Sequence, residues 1–132
     1  MKTIYFLLFL GGLSMLSSCE KFEGQGGAAT IKGSILGKKY NAIGVLITEY
    51  PMQKHDVFII YGENSTYFDD KIETSYDGTF EFRYLQPGTY TIFTYSKDPT
   101  APSGDVAVTQ TITITKGEKK QAIDVGVIEV RD

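Results

Sequence analysis

The chain has 132 residues, of which 42% are hydrophobic and 13% aromatic, with nine Tyr, eight Phe and no Trp. This composition favours one packed domain of ordinary size and argues against wholesale disorder. The formal charge of −3, without a basic cluster, is not typical of nucleic-acid binding, and we expect no nucleic-acid partner. One His and one Cys are too few for a zinc site built from these residues or for an intramolecular disulfide.

Residues 1–18 have the three parts of a secretory signal peptide. Lys2 gives a positive start, an apolar middle follows, and Leu16-Ser17-Ser18 precede Cys19. The apolar part is interrupted by glycines and is shorter than the roughly 20 residues of a membrane span. The ending LSSC resembles the lipobox of bacterial lipoproteins, whose Cys thiol accepts a diacylglyceryl group. We therefore expect lipid attachment at Cys19; the alternative is an ordinary signal peptide followed by a chance cysteine.

Residues 19–28, CEKFEGQGGA, are polar and Gly-rich without periodicity. Such a composition predicts a flexible tether between the lipidated Cys and the domain. Acidic residues just after the Cys resemble the surface-export signals of Bacteroidetes lipoproteins, although Lys21 and Phe22 interrupt them here. We expect the protein on the outer membrane, on its periplasmic or its cell-surface face.

Residues 29–132 show no helical apolar spacing over three turns and instead show short β-like runs separated by Gly, Pro, Asn and Asp. We predict strands at residues 29–36, 42–48, 56–62, 67–75, 79–84, 89–96, 105–115 and 121–130. Residues 105–115 alternate aliphatic side chains with threonines, whereas residues 56–62 are apolar on both faces, which is typical of a central strand. The predicted fold is a single all-β domain, an antiparallel Greek-key β-sandwich of about seven strands.

The stretch TSYDGTFEFRYLQPGTYTIFTYSKD, residues 74–98, is the most specific part of the domain. Asp77-Gly78 predicts a tight hairpin turn. The side chains that we expect to face the core are Phe80, Phe82, Tyr84, Leu85, Tyr90 and Ile92. The pattern T-x3-G-x-F-x-F-x2-L-x-P-G-x-Y-x-I resembles the prealbumin-like sandwiches, which include carboxypeptidase regulatory-like domains and collagen-adhesin B-type repeats. Its residues are structural, so the resemblance implies a fold and not an activity.

Some adhesin relatives of that fold carry a self-formed Lys–Asn isopeptide bond that is assisted by a buried acid. Lys32 could supply the amine. Thr94 stands where the resemblance requires the acid, and the last strand offers Asp124 in place of Asn. We therefore expect no cross-link and an outward-facing Lys32.

Catalytic and metal-binding patterns are missing from the sequence. His55 lies between Lys54 and Asp56, no G-x-S-x-G elbow is present, and we expect a solvated surface imidazole. Asp69-Asp70 lacks the spacing of a calcium loop and better fits a charged strand edge. We predict neither an enzyme, a metal site nor a cofactor.

The aromatic surplus is the feature that could serve binding. Exposed aromatic side chains stack on sugar rings or anchor protein partners, but they also cover sheets and brace loops. The candidates for ligand contact are Tyr61, Tyr67, Phe68, Tyr76, Phe93 and Tyr95. The leading hypothesis is a non-catalytic, lipid-anchored envelope module for interaction with an unknown protein or glycan. The alternatives are a glycan-binding surface lipoprotein accessory to nutrient uptake, and a fimbrial or adhesin-type subunit.

Overall fold

The computed structural model describes residues 23–116 and 120–132. The predicted signal peptide, Cys19 and the first residues of the tether lie outside the described residues. Within them the fold is all-β, and no helix has the length and apolarity needed to cross a bilayer. The eight strands are β1 (Gln25–Tyr40), β2 (Leu46–Pro51), β3 (Asp56–Tyr61), β4 (Asp70–Glu73), β5 (Thr79–Leu85), β6 (Gly88–Lys97), β7 (Asp105–Ile114) and β8 (Ala122–Arg131).

The strands form two four-stranded sheets that pack as a sandwich. In sheet A, β1 pairs with β8 along one side and with β5 and then β2 along the other; sheet B has the order β4-β3-β6-β7. The predicted all-β sandwich is confirmed, with eight strands where about seven were expected. One pairing differs from the antiparallel prediction, because β1 and β8 run parallel from Thr30↔Ala122 to Lys38↔Arg131. The chain crosses from sheet B before it enters β8, so no tight hairpin forces this pair to be antiparallel.

Alternate side chains of both sheets form one core. Its buried members are Ala29, Ile31, Ile35, Val57, Ile59, Phe80, Phe82, Leu85, Tyr90, Ile92, Ile112, Ile114, Ile128 and Val130. Each large aliphatic side chain buried in this way contributes about 2 kcal/mol. The inward prediction is wrong for Tyr84, which is 67% exposed. Its left-handed backbone, with φ of 60°, breaks the alternation and lets the next residue, Leu85, turn inward.

The start of the domain also differs from the prediction, because residues 25–28 of the expected tether belong to β1. Gly27 packs directly against the backbone carbonyl of Leu85, where a Cβ atom would clash. The amide of Gly24 donates to the Tyr90 hydroxyl at 2.9 Å. The glycines therefore serve close backbone approach as well as freedom of the chain.

The first hairpin turn lies later than the sequence predicted. The segment between the predicted strands 29–36 and 42–48 was expected to turn, but β1 continues through Lys38, which forms a 2.7 Å ion pair with Glu129 of β8. The turn instead follows Asn41, whose Oδ1 accepts the amides of Ile43 and Val45. This side-chain capping is typical of Asn in turns, and it moves the start of β2 from the predicted residue 42 to Leu46.

Candidate functional site

Four aromatic rings meet on the outer side of sheet B; we call this surface the aromatic face. Phe58 comes from β3, Phe93 and Tyr95 come from β6, and Phe68 comes from the segment before β4. Because successive strand residues point to opposite sides, the buried residues of β3 and β6 place their aromatic neighbours outside. Phe58 and Phe93 are direct cross-strand partners, so the sheet register brings their rings together.

The rings of the aromatic face support one another. Phe58 and Phe93 stack with centroids 4.8 Å apart and planes only 10° from parallel. Phe68 is tilted against Phe58 at 4.9 Å, and Tyr95 meets the edges of both stacked rings at 5.7 and 5.8 Å. Such pairs contribute about 0.5–1.5 kcal/mol each beyond area burial. The mutual contacts hold the rings in place before any ligand arrives.

This surface is accessible to solvent. Phe68 is 51% exposed and Tyr95 is 49% exposed, while Phe58 and Phe93 are half-buried beneath them. A contiguous aromatic patch on the outside of a sheet is typical of an interaction site. The solvent side of a sheet that binds nothing usually carries polar residues instead.

A cleft of about 360 Å³ adjoins the aromatic face beside Tyr95. Its walls include His55, Asp56, Phe58, Tyr95, Lys97 and Asp105. Lys97 pairs with Asp105 at 3.1 Å, and Lys71 pairs with Asp56 at 3.3 Å. These ion pairs balance the local charge while leaving hydrogen-bond donors and acceptors at the margin of the rings.

His55 is not the solvated surface imidazole that the sequence predicted. The residue is half-buried, and its Nε2 atom is buried without a hydrogen-bond partner among the described residues. Its backbone amide donates to the Thr74 Oγ1 at 2.9 Å, and its carbonyl accepts the Thr74 amide at 3.0 Å. These contacts fix the backbone of residue 55 beside Thr74, the residue that follows β4.

The structure separates the other predicted contact residues. Tyr61 points inward and meets the Tyr90 ring edge-on at 5.8 Å; burial raises the pKa of its phenol, with Asp70 and Asp69 adding to the effect. Tyr67 and Tyr76 are largely exposed and have no ring contact within the described part of the chain. Of the six predicted contact residues, only Phe68, Phe93 and Tyr95 therefore belong to the aromatic face.

Phe58 was missing from the candidates although a sequence pattern could have identified it. Val57 and Ile59 alternate with it, so once they face the core, Phe58 must lie outside with Phe93 and Tyr95. What the pattern could not give is the register that places Phe58 opposite Phe93.

A larger cavity, of about 710 Å³, lies beside sheet A. Among the described residues that line it, Phe80 is the one aromatic side chain, and it belongs to the core. Lys32 is exposed there, as predicted, with Glu81 and Asp124 as its register neighbours, and Arg83 pairs with Glu81 at 2.6 Å. We favour the smaller cleft as the site because it adjoins half-exposed rings, which supply an apolar binding surface.

Neither the isopeptide chemistry nor a metal cluster is found in residues 23–116 and 120–132. Thr94 is buried at the position that would need the acid, and its hydroxyl donates to the Asp56 carbonyl at 2.8 Å. Across the described ranges no group of three or more His, Cys, Asp and Glu side chains is placed to hold a metal ion.

No protein-family model matches the chain, and no curated protein matches it in sequence. Among solved structures, a similar chain is a Pseudomonas aeruginosa protein for which carbohydrate binding has been suggested, known from a crystal structure. The two share 14% identity and a TM-score of 0.46, over 83% of this chain and 91% of the other.

Proposed function

We propose that the protein is a non-catalytic, lipid-anchored module of the bacterial cell envelope that binds a neutral glycan on its aromatic face. The observation that supports this is the set of four mutually packed rings on the solvent side of sheet B, two of them about half-exposed. Aromatic rings pack against the apolar faces of sugar rings, and hydroxyl groups at the sugar edge need donors and acceptors nearby.

The flanks of the aromatic face favour a glycan over a protein partner. Protein hot spots are surrounded by contacts that exclude water. Here the rings are bordered by exposed ion pairs, Lys97–Asp105 and Lys71–Asp56, which stay hydrated and present donors as well as acceptors. Their opposite charges also favour a ligand without net charge, because a charged ligand would meet repulsion from one member of each pair.

The absence of catalysis is proposed from the surroundings of the one histidine. A base that activates a nucleophile needs that nucleophile, and an orienting acid, within hydrogen-bond reach. Within the part of the chain that the structure describes, the buried Nε2 atom of His55 has no hydrogen-bond partner that could be such a nucleophile or acid. Its role at the wall of the cleft is then to shape the cleft and to contact ligand.

Lipid anchoring is proposed from the LSSC sequence at residues 16–19. The described chain begins four residues later, at Glu23, so the membrane would lie within about 15 Å of the sandwich. Mass spectrometry of the mature protein would then show diacylglyceryl-modified Cys19 at the N-terminus. An unmodified thiol at Cys19 would refute the anchor without affecting the glycan site.

Binding of the full-length protein to a panel of neutral and acidic polysaccharides tests the glycan site. We expect a neutral polysaccharide to bind, and Tyr95→Ala to weaken the affinity about tenfold, which corresponds to 1.4 kcal/mol. Phe68→Ala should act in the same direction. Tyr76→Ala is the matched control, because Tyr76 is exposed but lies in the turn before β5. Retention of full affinity in both Tyr95→Ala and Phe68→Ala would show that the aromatic face is not the site.

A further inference from the structure

Five described strands pair on one side only: β2, β4, β5, β7 and β8. Edge strands present unpaired N–H and C=O groups, and soluble proteins guard them with charges, prolines, bulges or short length. The edge strand that lacks these protective features is therefore the one that can pair with a further strand.

Four of the five edges are guarded. β4 has only four residues, β2 ends in Pro51, and β8 contains Gly126 in a left-handed conformation beside a register shift. The charged side chains on these strands are Glu49, Asp70, Lys71, Glu73, Glu81, Arg83, Asp124, Glu129 and Arg131. Each of these features opposes the addition of another strand.

β7 lacks such guards over almost its whole length of ten residues. Its one charge, Asp105, stands at its first position and is paired with Lys97. The rest of the strand has no charge, proline or glycine. At its exposed start the inner side is also incompletely covered, because Val106 is exposed and Val108 is only partly buried. β7 thus combines an open edge with uncovered apolar side chains.

We propose that β7 pairs antiparallel with β7 of a second copy of this chain, about a two-fold axis at Gln110. The sequence VAVTQTITI is self-complementary in this register. Thr109 of one copy faces Thr111 of the other on the outer side, and Val108 faces Ile112 on the inner side. No like charges meet, because Asp105 lies opposite the uncharged Thr115. In this register Ile114 of the second copy also lies beside the exposed Val106 and covers it. A strand of a different protein would cover Val106 only if it had an apolar residue at the same position.

The pairing has a geometric consequence for the aromatic face. The two sheets B join into one eight-stranded sheet, and antiparallel pairing keeps both aromatic faces on the same side. Three strand spacings and a two-residue offset separate the two Phe93 side chains by about 16 Å. One long glycan could then contact both faces, with a gain in avidity over a short one. This consequence rests on the proposed function, whereas the pairing itself does not.

The mass of the full-length protein in detergent, measured by sedimentation without any glycan, tests the pairing. We expect a dimer for the natural sequence and a monomer for Thr109→Lys/Thr111→Lys, which places lysines directly opposite each other. Both threonines are exposed, so the variant should keep the circular dichroism of the parent. The control is Thr48→Lys/Thr66→Lys, which adds the same charge at exposed positions outside β7 and should remain dimeric. A monomeric parent protein, or a dimeric β7 double variant, would overturn the proposal.

A cross-link tests the register. Gln110→Cys places two thiols opposite each other at the two-fold axis, so mild oxidation should give a covalent dimer. Thr48→Cys, on the β2 edge, should give none. If the parent protein is dimeric but Gln110→Cys does not cross-link, or Thr48→Cys does, the dimer uses another surface and the proposed pairing is wrong. Because no glycan is present in either measurement, failure here is distinct from failure of the glycan site.

Discussion

Tyr90 connects the start of the domain to the turn between β5 and β6, and its hydroxyl offers a quantitative test of the structure. The side chain is fully buried. Its hydroxyl accepts the Gly24 amide at 2.9 Å and donates to the Gln86 carbonyl at 2.6 Å. The Gln86 amide in turn donates to the Gly24 carbonyl at 2.8 Å. The phenol therefore belongs to a small closed network between two segments that are distant in sequence.

Tyr90→Phe removes the hydroxyl and keeps the ring. The amide of Gly24, a buried residue, loses its partner, and an unsatisfied buried donor costs about 1–3 kcal/mol. Gln86 is only partly buried, so water can replace the hydroxyl at its carbonyl at little cost. We therefore expect the free energy of unfolding to fall by about 2 kcal/mol. For a domain of this size that corresponds to a midpoint temperature lower by about 8 °C.

Urea unfolding with an unchanged m-value is the measurement, and Tyr95→Phe is the matched control. Tyr95 is half-exposed, so loss of its hydroxyl should cost less than about 0.5 kcal/mol. Amide exchange at Gly24 should also accelerate in Tyr90→Phe. A loss in Tyr90→Phe that is no larger than in Tyr95→Phe would refute the proposed network, because it would mean that the hydroxyl does not hold the start of β1.

Two further predictions concern alkaline pH and backbone conformation. Burial raises the pKa of Tyr90 above its ordinary value of 10.0, so above pH 10 the unfolded chain releases a proton that the folded chain keeps. The free energy of unfolding should therefore fall as the pH rises, and it should fall less steeply in Tyr90→Phe. Urea unfolding midpoints measured from pH 8 upward would show this difference. Gly78 and Gly104 have the same φ of 79°, but a Cβ on Gly78 would lie 2.7 Å from the Ile35 carbonyl, whereas Gly104 faces open space. Gly104→Ala should cost about 1 kcal/mol from backbone strain, and Gly78→Ala should cost at least about 1 kcal/mol more; equal losses in urea unfolding would contradict the close approach.

Local alternation was enough to predict most side-chain directions. Phe80 and Phe82 face the core, as do Ile112 and Ile114, because a strand's side-chain period of two is fixed by its own backbone. Tyr84 broke this rule through a left-handed conformation that no local pattern revealed. Residues 37–40 of β1 were missed for a different reason, because the Lys38–Glu129 pair in this part of the strand depends on a partner about ninety residues away.

The candidate site was harder to predict than the fold. Phe93 and Tyr95 could be placed on the outer side of a strand from their alternation alone. Their contact with Phe58 depends on the pairing of β3 with β6, and the contact with Phe68 depends on the path of the segment before β4. His55 presents the same difficulty, because its position depends on backbone contacts with Thr74, nineteen positions later. Sequence patterns give the direction of a side chain, whereas a binding surface requires the register between strands.

The two ends of the sandwich have different roles under the proposed function. The described chain enters beside Tyr90, so an anchor at Cys19 would hold that end close to the membrane. From Tyr90, β6 runs seven residues to Lys97 at the cleft, a distance of about 24 Å along the strand. The cleft would then open at the end remote from such an anchor. The length of the sheet would hold the aromatic face away from the lipid surface. A tether of only a few residues would therefore be sufficient for this face to reach soluble or extended polysaccharides.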